Sequence, residues 1–146
     1  MKKTSVHSLL LVLALVFMTG CATEKWEESG IFESGNFKMI GVEDKLGFIY
    51  DGSEVTRFYP AKENKYMWHL WGNSEQLKGD LKVTATHNKS NEEVTVIEGL
   101  PLAGAHNGAD AHTPSTMSLP KSGMWKLDAY VNDQLHGSIF VRVYEE

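Results

Sequence analysis

The stretch MWKLDAYVNDQLHGSIFVRVY, residues 124–144, decides the fold. Trp125, Leu127, Ala129 and Val131 alternate with Met124, Lys126, Asp128 and Tyr130. After Asn132-Asp133-Gln134, a second alternation sets Leu135, Gly137, Ile139, Val141 and Val143 against His136, Ser138, Phe140, Arg142 and Tyr144. A period of two is the signature of a strand with one buried face, and the turn-forming residues between the runs predict a hairpin.

The same period recurs upstream. Leu81, Val83 and Ala85 alternate with Lys82, Thr84 and Thr86. Shorter candidates are residues 37–42, 47–50, 65–71, 94–97 and 116–119, separated by turn signals such as Asp51-Gly52, Gly79-Asp80 and the Pro120–Gly123 stretch. Residues 60–71 compete as a helix because Pro60 opens them, but Tyr66, Trp68 and Leu70 alternate and aromatics favour strand. Seven or eight short strands over residues 37–146 predict an all-β, immunoglobulin-like sandwich. With one cysteine, Cys21, no internal disulfide is available, so aromatic packing has to hold the sheets together.

The 146 residues suffice for one domain. Net charge is −5, and −7 without Lys2 and Lys3. No basic cluster remains, so nucleic acid, whose binding requires a cationic face, is excluded as a partner.

Lys2 and Lys3 precede an unbroken apolar run over residues 9–18, LLLVLALVFM. Ten residues are too few for a bilayer core of about 30 Å, which needs roughly 20. A basic start, a short apolar run and the small residues Thr19 and Gly20 describe a secretory signal peptide over residues 1–20. Met18-Thr19-Gly20-Cys21 resembles the bacterial lipobox, with Met18 in place of the usual leucine. That resemblance implies cleavage between Gly20 and Cys21, S-diacylglyceryl and N-acyl groups on Cys21, and anchorage to the outer face of the cell membrane. Two or more acyl chains give stable anchoring where one is marginal. Residues 21–36 then read as the lipidated cysteine and a tether, with a first strand containing Phe32 as the alternative.

Residues 65–72 (KYMWHLWG), residues 107–112 (NGADAH) and Leu119-Pro120 through Asp128 resemble a set of small, uncharacterised lipoproteins of Gram-positive bacilli. The resemblance implies a lipid anchor and an immunoglobulin-like ectodomain. It carries no activity.

Chemistry is sparse elsewhere. Residues 100–114 gather His106, Asn107, Asp110 and His112 among glycines and alanines, which makes them a candidate ligand loop. Asn, Asp and His in such a loop commonly bond to backbone groups. The alternative is a zinc or copper site using His106, Asp110 and His112, joined by His69 or Met117. Tyr66, Trp68, Trp71 and Trp125 are core candidates, although alternation sends Trp68 and Trp71 to opposite faces and leaves one free as a platform for a sugar ring. No G-x-S-x-G, S-x-x-K, H-E-x-x-H or phosphate-loop pattern occurs. The chain is therefore expected to have no cofactor and no catalytic residues. The expected role is a binding or accessory module of the cell envelope, with another envelope protein or cell-wall glycan as partner. An envelope hydrolase with an unrecognised site is the remaining alternative.

Overall fold

The computed structural model describes residues 23–146. The expected signal peptide, with Gly20 and Cys21 at its expected cleavage point, lies outside the described residues.

Among the described residues, nine strands form two antiparallel sheets. The first has the order β1(Ile31–Ser34), β2(Phe37–Val42), β3(Leu46–Ile49), β4(Asn64–Leu70) and β7(Ala111–Met117). The second has the order β6(Glu93–Pro101), β5(Asp80–His87), β8(Gly123–Val131) and β9(Gln134–Val143). Among the described residues no helix is long and apolar enough to cross a membrane.

The C-terminal hairpin turns on two residues. Asn132 and Asp133 have φ of 49° and 59°, the primed-turn geometry that matches strand twist, so Gln134 already pairs with Val131. Trp125, Leu127, Ala129 and Val131 are all buried, as their alternation requires. Leu135 is not, at 58% exposed. A register irregularity between Ala129 and Tyr130 pairs Gly137 with the first and Leu135 with the second, which turns Leu135 away from the core.

The sheets meet in a core dominated by aromatics. Phe48 lies 5.1 Å from Tyr66, 5.0 Å from Trp68 and 6.1 Å from Phe58, and Phe58 stacks on Tyr66 at 4.7 Å. Such pairs add to area burial within the first sheet and its β3–β4 connection, and Phe58 in turn bridges to Val143 of the second sheet. Within residues 60–71 the chain forms no helix; strand β4 covers Asn64–Leu70 and puts Tyr66, Trp68 and Leu70 into this core.

Two elements differ from the sequence reading. β7 occupies Ala111–Met117, where a loop was expected up to Pro114. Proline in a strand is tolerated at a sheet edge, and β7 is an edge. The segment expected as a tether contains β1, which pairs Ile31 with Ile40 and Ser34 with Phe37. The residues before it lie against the second sheet. Ser29 exchanges hydrogen bonds with the Phe140 backbone at 2.9 Å, Trp26 meets the Phe140 ring edge-on at 5.3 Å, and Glu24 pairs with Lys126 at 2.6 Å.

Candidate functional site

The loop singled out by its composition folds over the outer face of the first sheet. Ala103 and His112 exchange two backbone hydrogen bonds, as do His106 and Ala109, so the loop is a small closed hairpin. Asn107, with φ of 48°, and Gly108, with φ of 84°, make its tip. Ser34 Oγ donates to the Asn107 carbonyl at 2.7 Å and binds the tip to the end of β1.

Beneath the tip lies His69. On β4 it faces away from the main core, yet it is fully buried because the loop covers it. Its Nδ1 sits 3.1 Å from the Met67 carbonyl, which can only accept, so Nδ1 carries the proton. Nε2 then accepts from the Asn107 amide at 3.1 Å. Burial pushes the His69 pKa down to about 4, with smaller contributions from His106 and His112. This imidazole is neutral at physiological pH.

The structure brings His69, His106 and His112 together. Ring centroids are 4.6 Å apart for His106 and His112, 6.0 Å for His69 and His106, and 6.4 Å for His69 and His112. Asp110 is not part of this group, since its Oδ2 accepts the Gly72 N–H at 2.9 Å. Met117 lies at the far end of β7, opposite Asn64. Both His69 nitrogens are engaged, and His112 Nδ1 donates to the Gly104 carbonyl at 2.7 Å. Among the described residues no group of three or more His, Cys, Asp or Glu is arranged to hold a metal ion.

Two concavities accompany the loop. The larger, about 840 Å³, runs between the β6 and β7 edges and is lined by Tyr66, Met67, Ile97, Leu100 and Pro114. Its edges are blunted: Pro114 has no N–H to offer, and β6 carries register irregularities opposite Leu81, Val83 and Thr84.

The smaller, about 380 Å³, opens at one end of the sandwich between the β2–β3 turn, the β4–β5 connection and the start of β9. Asp44, Trp71, Gln76, Gln134 and His136 give it a mainly polar lining, with Gly72 in its wall and Leu135 at its rim. Composition alone did not mark this pocket, because its residues come from three separated segments. Only Trp71 was singled out, as an aromatic facing away from Trp68. Trp68 is buried in the core; Trp71 is half-buried and borders the pocket.

The histidine-bearing loop and this pocket are one construction. Trp71 Nε1 donates to the Gly108 carbonyl at 2.9 Å, and Asp110 holds the Gly72 N–H. Phe32 meets the Trp71 ring edge-on at 5.9 Å. The loop therefore fixes the indole and the glycine that border the pocket.

Comparison with other proteins points the same way for fold. Residues 17–141 match the family model described as a domain of unknown function, DUF4871. No curated protein matches the chain. A crystal structure of a chain described as a putative lipoprotein from Bacillus anthracis superposes with a TM-score of 0.65 at 20% sequence identity, covering 84% of this chain and 88% of that one. At that identity the likeness concerns the fold.

Proposed function

The chain belongs to the DUF4871 family, a domain of unknown function, and on that footing we propose that it is a lipid-anchored, extracytoplasmic binding module of the cell envelope. Its signal peptide is removed after Gly20, and Cys21 carries the acyl groups. The matched family span includes Cys21, and the Bacillus anthracis chain of like fold bears the lipoprotein description, which supports the same reading here.

The observation that carries the proposal is the course of the chain just after the cysteine. From Glu24 to Ser29 it is held on β8 and β9 by an ion pair, an aromatic contact and two hydrogen bonds. Two residues, Ala22 and Thr23, separate Cys21 from Glu24, three steps of chain that reach at most about 11 Å. An anchor at Cys21 therefore holds the sandwich close to the bilayer in a restricted orientation.

The sandwich itself is immunoglobulin-like in this reading. The β3-β4-β7 order corresponds to strands A-B-E, and β6-β5-β8-β9 to C′-C-F-G, with β1 and β2 added outside A. Loops at the ends of such sandwiches carry recognition. The pocket lies at the end formed by the B–C and F–G loops, the end that antibodies use for antigen.

Binding is favoured over hydrolysis by the scatter of perturbed groups. Lowered Asp51 belongs to a surface turn with Ser53 and Thr56, Tyr50 and Tyr66 are raised by burial, and His69 is enclosed. Asp51 and Tyr66 both bond Thr56 in the β3–β4 connection, whereas His69 lies apart under its loop, so the histidine and the carboxylate do not share a cleft as a catalytic acid and base would. The test of the anchor is fractionation of cells producing the wild type and Cys21→Ser. The wild type is expected with membranes and the variant in the soluble fraction; a membrane-bound variant would overturn the proposal.

A further inference from the structure

We propose that the 380 Å³ pocket at the loop end is a saccharide site that takes one or two sugar rings. The inference rests on the binding-module reading and names its ligand class. A pyranose has an apolar C–H face and a rim of hydroxyls, so its site needs an aromatic plate beside planar polar groups. Trp71 is the aromatic residue that borders the pocket, and Gln76, Gln134, Asp44 and His136 are its polar lining. Leu135, 58% exposed at the mouth, offers an apolar contact for a ring substituent such as an acetamido methyl.

Two of these polar groups, Gln76 and His136, are held in place before a ligand arrives. Gln76 Oε1 accepts from Asn73 N at 2.9 Å, which leaves the amide N–H₂ to donate. His136 Nε2 lies 3.1 Å from the Lys45 carbonyl, so it carries the proton and Nδ1 is left as an acceptor. The same carbonyl accepts the Trp71 backbone N–H at 2.9 Å. Trp71 is further fixed by Gly108 and Phe32. Side chains already held in this way, Trp71, Gln76 and His136, lose little entropy on binding.

Gly72 keeps the space open. A Cβ there would come within 2.8 Å of Gln76 Oε1 and 3.4 Å of His136 Cε1, both pocket walls. Asp44 and Lys45 balance each other in charge, and the chain is acidic overall, so a neutral polyhydroxylated ligand suits the site better than an anion. The 840 Å³ groove differs in kind, with a lining richer in apolar side chains.

The experiment uses the full-length lipoprotein purified in detergent. One arm titrates soluble N,N′-diacetylchitobiose by calorimetry; the other sediments the protein with insoluble peptidoglycan. Saturable binding in at least one arm is expected, weakened tenfold or more in both Gly72→Ala and Trp71→Ala. Gly72→Ala is the decisive variant because its backbone needs no left-handed φ, and its thermal midpoint reports that it is folded. Binding of the polymer alone, lost in Gly72→Ala, assigns the pocket to a longer wall glycan. Absence of binding in both arms, or binding that Gly72→Ala leaves unchanged, would overturn the inference. Neither failure touches the anchor, which is read from Cys21→Ser.

Discussion

The carboxylate of Asp110 accepts the backbone N–H of Gly72 at 2.9 Å, joining two segments 38 residues apart. Together with the bond from Trp71 Nε1 to the Gly108 carbonyl, it makes the histidine-bearing hairpin a brace for the loop-end pocket. Asp110→Ala is expected to cost about 1 kcal/mol, because the bond is charge-assisted but exposed. Urea unfolding reads that cost. The same variant should weaken saccharide binding without altering the pocket's own side chains; unchanged binding would separate the brace from the pocket.

His69 makes stability depend on pH. Its folded pKa of about 4 lies below the 6.5 of a free imidazole, so the fold favours the neutral form. The contribution is complete above about pH 6.5 and is lost as pH falls from there towards 4. His106, His112 and the Asn107 amide surround the ring, and none of them welcomes a proton on it. The shift corresponds to at most about 3 kcal/mol. Urea midpoints measured between pH 8 and pH 4 should fall in the wild type and lose much of that slope in His69→Gln. A slope identical in the two proteins would contradict this account.

Gly41 permits the close approach of β2 to β3. Its φ is 150°, and a Cβ would fall on the Leu46 carbonyl and 2.8 Å from Gly47 Cα. Backbone cannot yield as a flexible side chain can, so Gly41→Ala should destabilise by about 3 kcal/mol or more. Gly104→Ala, where nothing lies within 4 Å of the added methyl, should have far less effect. Thermal unfolding of the two variants gives the comparison.

The strap ahead of β1 rests on modest contacts. The partly exposed Glu24–Lys126 pair is worth under about 1 kcal/mol, and the Trp26–Phe140 contact about 1 kcal/mol beyond its buried area. Trp26→Ala should therefore loosen residues 24–29 while the sandwich stays folded. Hydrogen exchange at the Ser29 and Phe140 amides should accelerate, with Leu127 and Val141 still protected. Uniform acceleration would mean that the strap and core unfold together.

Alternation made most of the architecture legible in the sequence. Strands buried on one face, such as β5 and β8, show period two because each alternate residue enters the core. β7 escaped because Ala111, Thr113 and Ser115 are small inward residues and Pro114 reads as a breaker; only its edge position reconciles the proline with a strand. β1 was legible only as the alternative to a tether, because four residues, IFES, are too few for a period and its place depends on pairing with β2. The burial of His69 was hidden for a related reason: alternation gives its face, while the cover comes from a loop some 38 residues later. Asn107, Asp110 and the histidines stand out in the sequence, and their bonds run to Gly72, His69, Ser34 and Gly104. Composition could not reveal those partners.

Mass spectrometry of the mature protein recovered from membranes tests the central claim most directly. The account predicts a chain beginning at Cys21, with its sulfur carrying a diacylglyceryl group. A chain beginning elsewhere, or a Cys21 with a free thiol, would contradict it.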